Sequence, residues 1–184
     1  MKCVILVAGH GTLLENEIRE KGPKELVGPA VGKKKILDIW WKIVNQRTLF
    51  SDVYLVTNAD KYKYYERWAT ANDFPVSNII NDGSTSFHNS LGAAEDLQLV
   101  LNTAEISEDI VVVAGDMLFE EKSVDMCQII QFYRRFTKYQ YELSVWYWRK
   151  WSRPQRFAVY SVKNMYKFWK IEKFILRNFE GFYN

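Results

Sequence analysis

Apolar residues along this chain keep two rhythms that alternate. Three short unbroken runs, residues 3–8 (CVILVA), 53–56 (VYLV) and 110–114 (IVVVA), read as strands buried on both faces. Between them apolar residues recur at helical spacing. Over residues 35–49, Ile36, Ile39, Trp40, Ile43 and Val44 share one face, and over 61–72 Tyr62, Tyr65, Trp68 and Ala69 do. The pattern predicts further helices over 90–101 and from a cap at Ser123 to about residue 139, with Val124, Cys127, Ile130 and Phe136 inward. Residues 76–80 predict a short strand, and 81–89, rich in Asn, Asp, Gly, Ser and Thr, a loop. Strands alternating with helices predict an α/β fold, a Rossmann-like three-layer sandwich with a mainly parallel sheet and right-handed crossovers. Ligands of such sheets bind beyond the carboxyl ends of the strands.

After residue 139 the rhythm changes. A strand is predicted over 141–148, followed by aromatic residues interleaved with Arg and Lys and a basic aromatic helix over 162–177. The chain therefore divides into an α/β domain, 1–139, and a basic aromatic extension, 140–184. That extension is expected either to pack on the same domain or to be poorly ordered.

Charge sharpens this division. The net charge of +3 splits into −6 over the first 131 residues and +9 over residues 132–184, which suits an anionic partner. At 184 residues one domain with a sizeable core is expected. The two cysteines, Cys3 and Cys127, offer neither a disulfide framework nor metal spacing, and both are expected as buried thiols. No run approaches the roughly 20 apolar residues of a membrane span, and the first apolar run is too short for a signal peptide. A cytoplasmic protein is expected.

The candidate chemistry sits at the ends of the apolar runs. The first run breaks into Gly9-His10-Gly11-Thr12, where missing side chains let backbone N–H groups approach a phosphate. Pro23-Lys24 then supplies a fixed bend and a mobile cation. Asp116, after four apolar residues and a glycine, belongs at an exposed strand end. A dinucleotide fingerprint is weakened because Leu14 stands where its third glycine should be. Residues 28–34 are one residue short of a P-loop and end in Lys34 instead of Ser or Thr. His10 and His88 lack ligand spacing.

Four motifs, Ala8-Gly9-His10-Gly11-Thr12, Pro23-Lys24-Glu25-Leu26, Gly32-Lys33-Lys34-Lys35-Ile36-Leu37 and Val111-Val112-Val113-Ala114-Gly115-Asp116, stand in the order seen in a known family. Over about residues 1–135 the chain resembles the nucleotidyltransferases that make sugar nucleotides and related activated alcohols. The resemblance implies the GT-A-like, nucleotide-diphospho-sugar transferase type of α/β fold. It implies transfer of an NMP group from an NTP to a phosphorylated small molecule, a sugar 1-phosphate or phosphocholine-like acceptor, with release of pyrophosphate. It also implies Mg2+ as cofactor on Asp116, Lys24 against the α-phosphate, and nucleotide binding by Ala8, Gly9, His10, Gly11, Thr12, Ser90 and Gly92. The polar loop over 9–22 would close on the triphosphate.

The chain departs from the family in three places. Leu13 replaces an arginine that helps hold the triphosphate, and Arg19 is a candidate substitute. A Glu-Lys-Pro segment has only Glu172-Lys173-Phe174 as its echo, and a second metal carboxylate has no match. The chain is also shorter than most members, which fits a truncated product or a divergent small cytidylyltransferase. Two rival expectations stand beside the enzyme: a catalytically inactive, nucleotide-binding homologue with a regulatory role, and a tail that stacks on nucleic-acid bases. A core-packing tail with a solvated basic face is preferred to the last. The expected partners are the NTP and its acceptor, without membrane or nucleic acid.

Overall fold

A computed structural model describes residues 1–10, 22–26, 35–46, 49–117 and 125–137, together with the backbone of 143–148 and 155–160. The elements run β1 (Lys2–Leu6), α1 (Ile36–Val44), β2 (Val53–Thr57), α2 (Tyr62–Ala71), β3 (Ile79–Asn81), α3 (Ala93–Thr103), β4 (Ile110–Ala114), α4 (Met126–Thr137), β5 (Leu143–Trp148) and β6 (Gln155–Tyr160). The sheet order is β3-β2-β1-β4-β6-β5. The four strands β3, β2, β1 and β4 are parallel, and β6 joins β4 antiparallel with β5 outside it.

Period-2 alternation explains the three layers. From β1, Cys3, Ile5 and Val7 enter a core with Leu37 and Trp40 of α1, Tyr65 and Trp68 of α2, and Ile130 and Tyr133 of α4. Val4 and Ala8 enter the opposite core with Leu97, Val100 and Leu101 of α3. The chain steps outward from β1 to β3 with its helices on one face. It then returns across the sheet to β4, and the connecting α3 lies on the other face. Reversing direction changes face when crossovers keep one hand.

Some boundaries differ from the sequence pattern. Helix α1 ends at Val44 rather than near residue 49. Helix α3 starts at Ala93, not at Ser90, because Gly92 at φ +87° breaks the backbone just before it. Helix α4 starts at Met126, capped by Asp125, whose Oδ1 accepts the N–H of Cys127 at 2.9 Å and of Gln128 at 3.2 Å. Ser123, the expected cap, lies outside the described residues. Residues 76–80 divide into a 3₁₀ turn, Val76–Asn78, and then β3. Cys3 is buried as expected, and burial pushes its thiol far up, out of reactive range. Cys127 is only half-buried, since it sits in the first turn of α4. Strand β5 was legible in the pattern, whereas β6 was not. The helix expected over 162–177 lies outside the described residues. Among them, no helix is long and apolar enough to cross a membrane.

Candidate active site at the carboxyl ends of β1 and β4

The strand order reverses between β1 and β4, and sheets of this kind form their ligand crevice beyond the carboxyl ends of the strands at such a point. Two glycines border it for different reasons. Gly115 donates its N–H to the Leu6 carbonyl at 2.9 Å, and a Cβ there would collide with the Val7 methyl. Only glycine lets β4 end so close to β1. At Gly9 a Cβ would meet nothing within 4 Å among the described residues. Beyond Gly115 the chain turns, with the Met117 N–H on the Ala114 carbonyl at 3.2 Å. The buried Trp40 of α1 fastens that turn through its Nε1–H to the Met117 carbonyl at 2.9 Å.

Lys24 approaches from a second turn, closed by the Leu26 N–H on the Pro23 carbonyl at 2.9 Å. Its Nζ donates to Asp116 Oδ2 at 2.6 Å, joining positions 92 residues apart. The lysine side chain is 19 % exposed and the aspartate 45 %, so the pair reaches solvent. A pair this exposed adds little to stability.

Several residues that the sequence reading did not single out hold this arrangement. Asn58, fully buried after β2, donates from Nδ2 to the Ala8 carbonyl at 2.9 Å and accepts the Lys61 N–H at 3.0 Å. Lys61, buried at the head of α2, donates from Nζ to the Gly9 carbonyl at 3.1 Å. Glu25, buried beside Lys24 in sequence, accepts the Tyr65 hydroxyl at 2.8 Å. Burial pushes the Glu25 carboxyl up, against the pull of the Tyr65 hydrogen bond and the charges of Lys24 and Lys61. An Asn after a strand and a Lys on the apolar side of a helix start were the available signals. A Glu between a lysine and a leucine gave none.

A second polar group lies beyond β3. The Ser84 hydroxyl bonds both carboxylate oxygens of Asp82 at 2.8 Å, and His10 Nε2 meets Ser84 Oγ at 3.1 Å. With that hydroxyl proton on Asp82, the imidazole N–H donates to Ser84. Asp96, in the first turn of α3, is buried, and its carboxyl is pushed up to about 7 by that burial and by the Asp82 carboxylate.

Of the sequence-predicted residues, the structure pairs Lys24 with Asp116 and ties His10 to Ser84, while the Ala8 and Gly9 carbonyls are held by Asn58 and Lys61. Ser90 and Gly92 lie just before α3; the Ser90 N–H bonds the Phe87 carbonyl and the Gly92 carbonyl accepts the Asp96 N–H. Gly11 and Thr12 fall outside the described residues, as do Leu13 and Arg19. Among the described residues no three His, Cys, Asp or Glu side chains gather into a metal cage. Asp116 offers one hard oxygen donor, which suits a magnesium ion that keeps water and phosphate in its shell.

No family model matches the sequence, and no curated protein matches it. Solved structures do. A protein assigned as a glucose-1-phosphate thymidylyltransferase from Bacillus anthracis superimposes with a TM-score of 0.64 at 15 % identity, covering 91 % of this chain and 74 % of that one. The 4-diphosphocytidyl-2C-methyl-D-erythritol synthase of Anaerococcus prevotii gives 0.55 at 16 % identity, covering 95 % and 74 %. A UDP-glucose phosphorylase from Trypanosoma brucei gives 0.52 at 13 % identity, covering 81 % and 37 %. At these identities the likeness is one of fold, and the chain shares the α/β fold of these structures.

Proposed function

We propose that the chain transfers a nucleotidyl group from an NTP to a phosphorylated small molecule, a sugar 1-phosphate or a phosphocholine-like acceptor. The observation that carries this reading is the 2.6 Å approach of Lys24 Nζ to Asp116 where β4 ends alongside β1. A phosphate oxygen of the acceptor attacks the α-phosphorus. The bond from that phosphorus to the bridging oxygen breaks, and pyrophosphate leaves with the electron pair. Lys24 donates to an α-phosphate oxygen and stabilises the charge that builds there. Ala8, Gly9, His10, Gly11 and Thr12 bind the nucleotide in this reading, as do Ser90 and Gly92. Asp116 would hold a magnesium ion, which supplies charge neutralisation to the triphosphate when bound.

The fold likeness supports this kind of reaction. Pyrophosphate release over four NTPs, each with several phosphorylated acceptors, tests it. One NTP–acceptor pair is expected to turn over with magnesium, and Lys24→Ala should lower kcat by about 100-fold or more, the usual loss for a principal electrostatic donor. No turnover with any pair would refute the enzyme. Nucleotide binding without turnover would instead support a regulatory homologue, and Leu13 is the residue that favours that rival.

A further inference from the structure

Helix α2 and its first flanking residue carry two buried polar side chains one turn apart, and each reaches a different arm of the crevice. Lys61 bonds the Gly9 carbonyl at 3.1 Å, on the segment that follows β1. Tyr65 bonds Glu25 at 2.8 Å, on the turn that bears Lys24. Residues four apart lie on one face of a helix. Their spacing is therefore fixed by the helix, and so is the spacing of the two arms they hold.

The chemistry of this pairing is unusual for packing alone. Tyr65 is fully buried and Glu25 is 2 % exposed, so both polar groups have given up water. An apolar residue of similar size would fill the Glu25 position without that desolvation. A carboxylate there instead fixes the turn in one orientation, because it must meet the Tyr65 hydroxyl. The Glu25 carbonyl also accepts the Leu37 N–H at 3.2 Å, which ties the same turn to α1. With residue 25 held from two sides, the direction in which Lys24 leaves the backbone is set.

We propose that Lys61 and Tyr65 form a positioning clamp, with Tyr65 acting through Glu25 to aim Lys24 at the crevice and Lys61 setting the segment that follows β1. The clamp rests on the nucleotidyl-transfer reading of the site. It separates two tasks: the Tyr65 arm serves the chemical step, and the Lys61 arm serves nucleotide binding.

The test uses the full chain and two readouts. In pyrophosphate release, Tyr65→Phe is expected to lower kcat about tenfold, the worth of one charge-assisted hydrogen bond, with the KM for nucleotide within about twofold. Lys61→Met should do the reverse, raising that KM about tenfold with little change in kcat. Glu25→Leu should match Tyr65→Phe. Glu25→Gln, which can still accept the hydroxyl, should recover most of what Glu25→Leu loses. The double variant Glu25→Leu/Tyr65→Phe should lose no more than either alone, since both break one interaction.

The second readout needs no turnover. Acylation of the Lys24 amine by an amine-reactive label, followed by mass spectrometry, reports how firmly Lys24 is held on Asp116. Asp116→Asn serves as the released reference. Tyr65→Phe should raise the labelling of Lys24 toward that reference while the far-UV spectrum stays that of the folded protein. Labelling unchanged in Tyr65→Phe but raised in Asp116→Asn would overturn the clamp, as would equal losses of kcat and KM in all variants. If no NTP turns over but the labelling follows this pattern, the clamp stands and the transferase reading falls.

Discussion

Asp96 shows how one buried acid reports its surroundings. Its folded carboxyl titrates at about 7 because burial and the facing Asp82 carboxylate both oppose a second negative charge. In the unfolded chain it titrates near pH 4. Between these values the folded state holds a proton that the unfolded state has lost, so stability falls as pH rises from about 4 to about 7 and stays lower above. Asp96→Asn should remove that slope and raise Tm at pH 8. Thermal melts from pH 4 to 8 check this; an Asn variant with the wild-type slope would show that Asp96 is not its source. In the sequence Asp96 is simply an acid in the first turn of a helix, the ordinary place for one. Its partner comes from the loop after β3, and only the fold makes them neighbours. Lys24 and Asp116 were legible because each stands in a motif. Glu25 and Tyr65 were not, since a buried Glu–Tyr hydrogen bond leaves no local pattern.

At the scale of elements, the unbroken runs of Val and Ile announced β1, β2 and β4, because strands covered on both faces cannot alternate with polar residues. Helices α1 and α2 were legible from their apolar stripes. Both ends of α2 and the start of α1 agree within one residue, but the end of α1 and the starts of α3 and α4 do not, because local features decide where a helix stops or starts, as the Asp125 cap and the positive φ of Gly92 do for α4 and α3. Strand β6 escaped because its pairing with β4 is made across more than forty residues, and residues 155–160 carry no alternation of their own. Gly115 links element to site, since it lets β4 end against β1 and places Asp116 in the crevice. Gly115→Ala should cost about 1–3 kcal/mol by overpacking against Val7 and Ile5. Urea denaturation measures it, and a midpoint equal to wild type would show that the two strand ends can part without penalty.

Across the whole molecule, the order of strands matters more than any motif. Four parallel strands in the order β3-β2-β1-β4 put the first and fourth strands side by side, so Gly115 bonds the end of β1, and Lys24 meets Asp116 across 92 positions. The antiparallel β6 and β5 lengthen the sheet beyond β4 with backbone from the basic C-terminal segment. The central claim is that the glycine turn, Lys24 and Asp116 enclose one nucleotide. Thermal shift against the four NTPs with magnesium measures it directly, since a ligand that binds only the folded state raises Tm. At least one NTP should raise the wild-type Tm, and Lys24→Ala and Asp116→Ala should each lose most of that rise. A rise of equal size in all three proteins would place the nucleotide elsewhere and contradict the account.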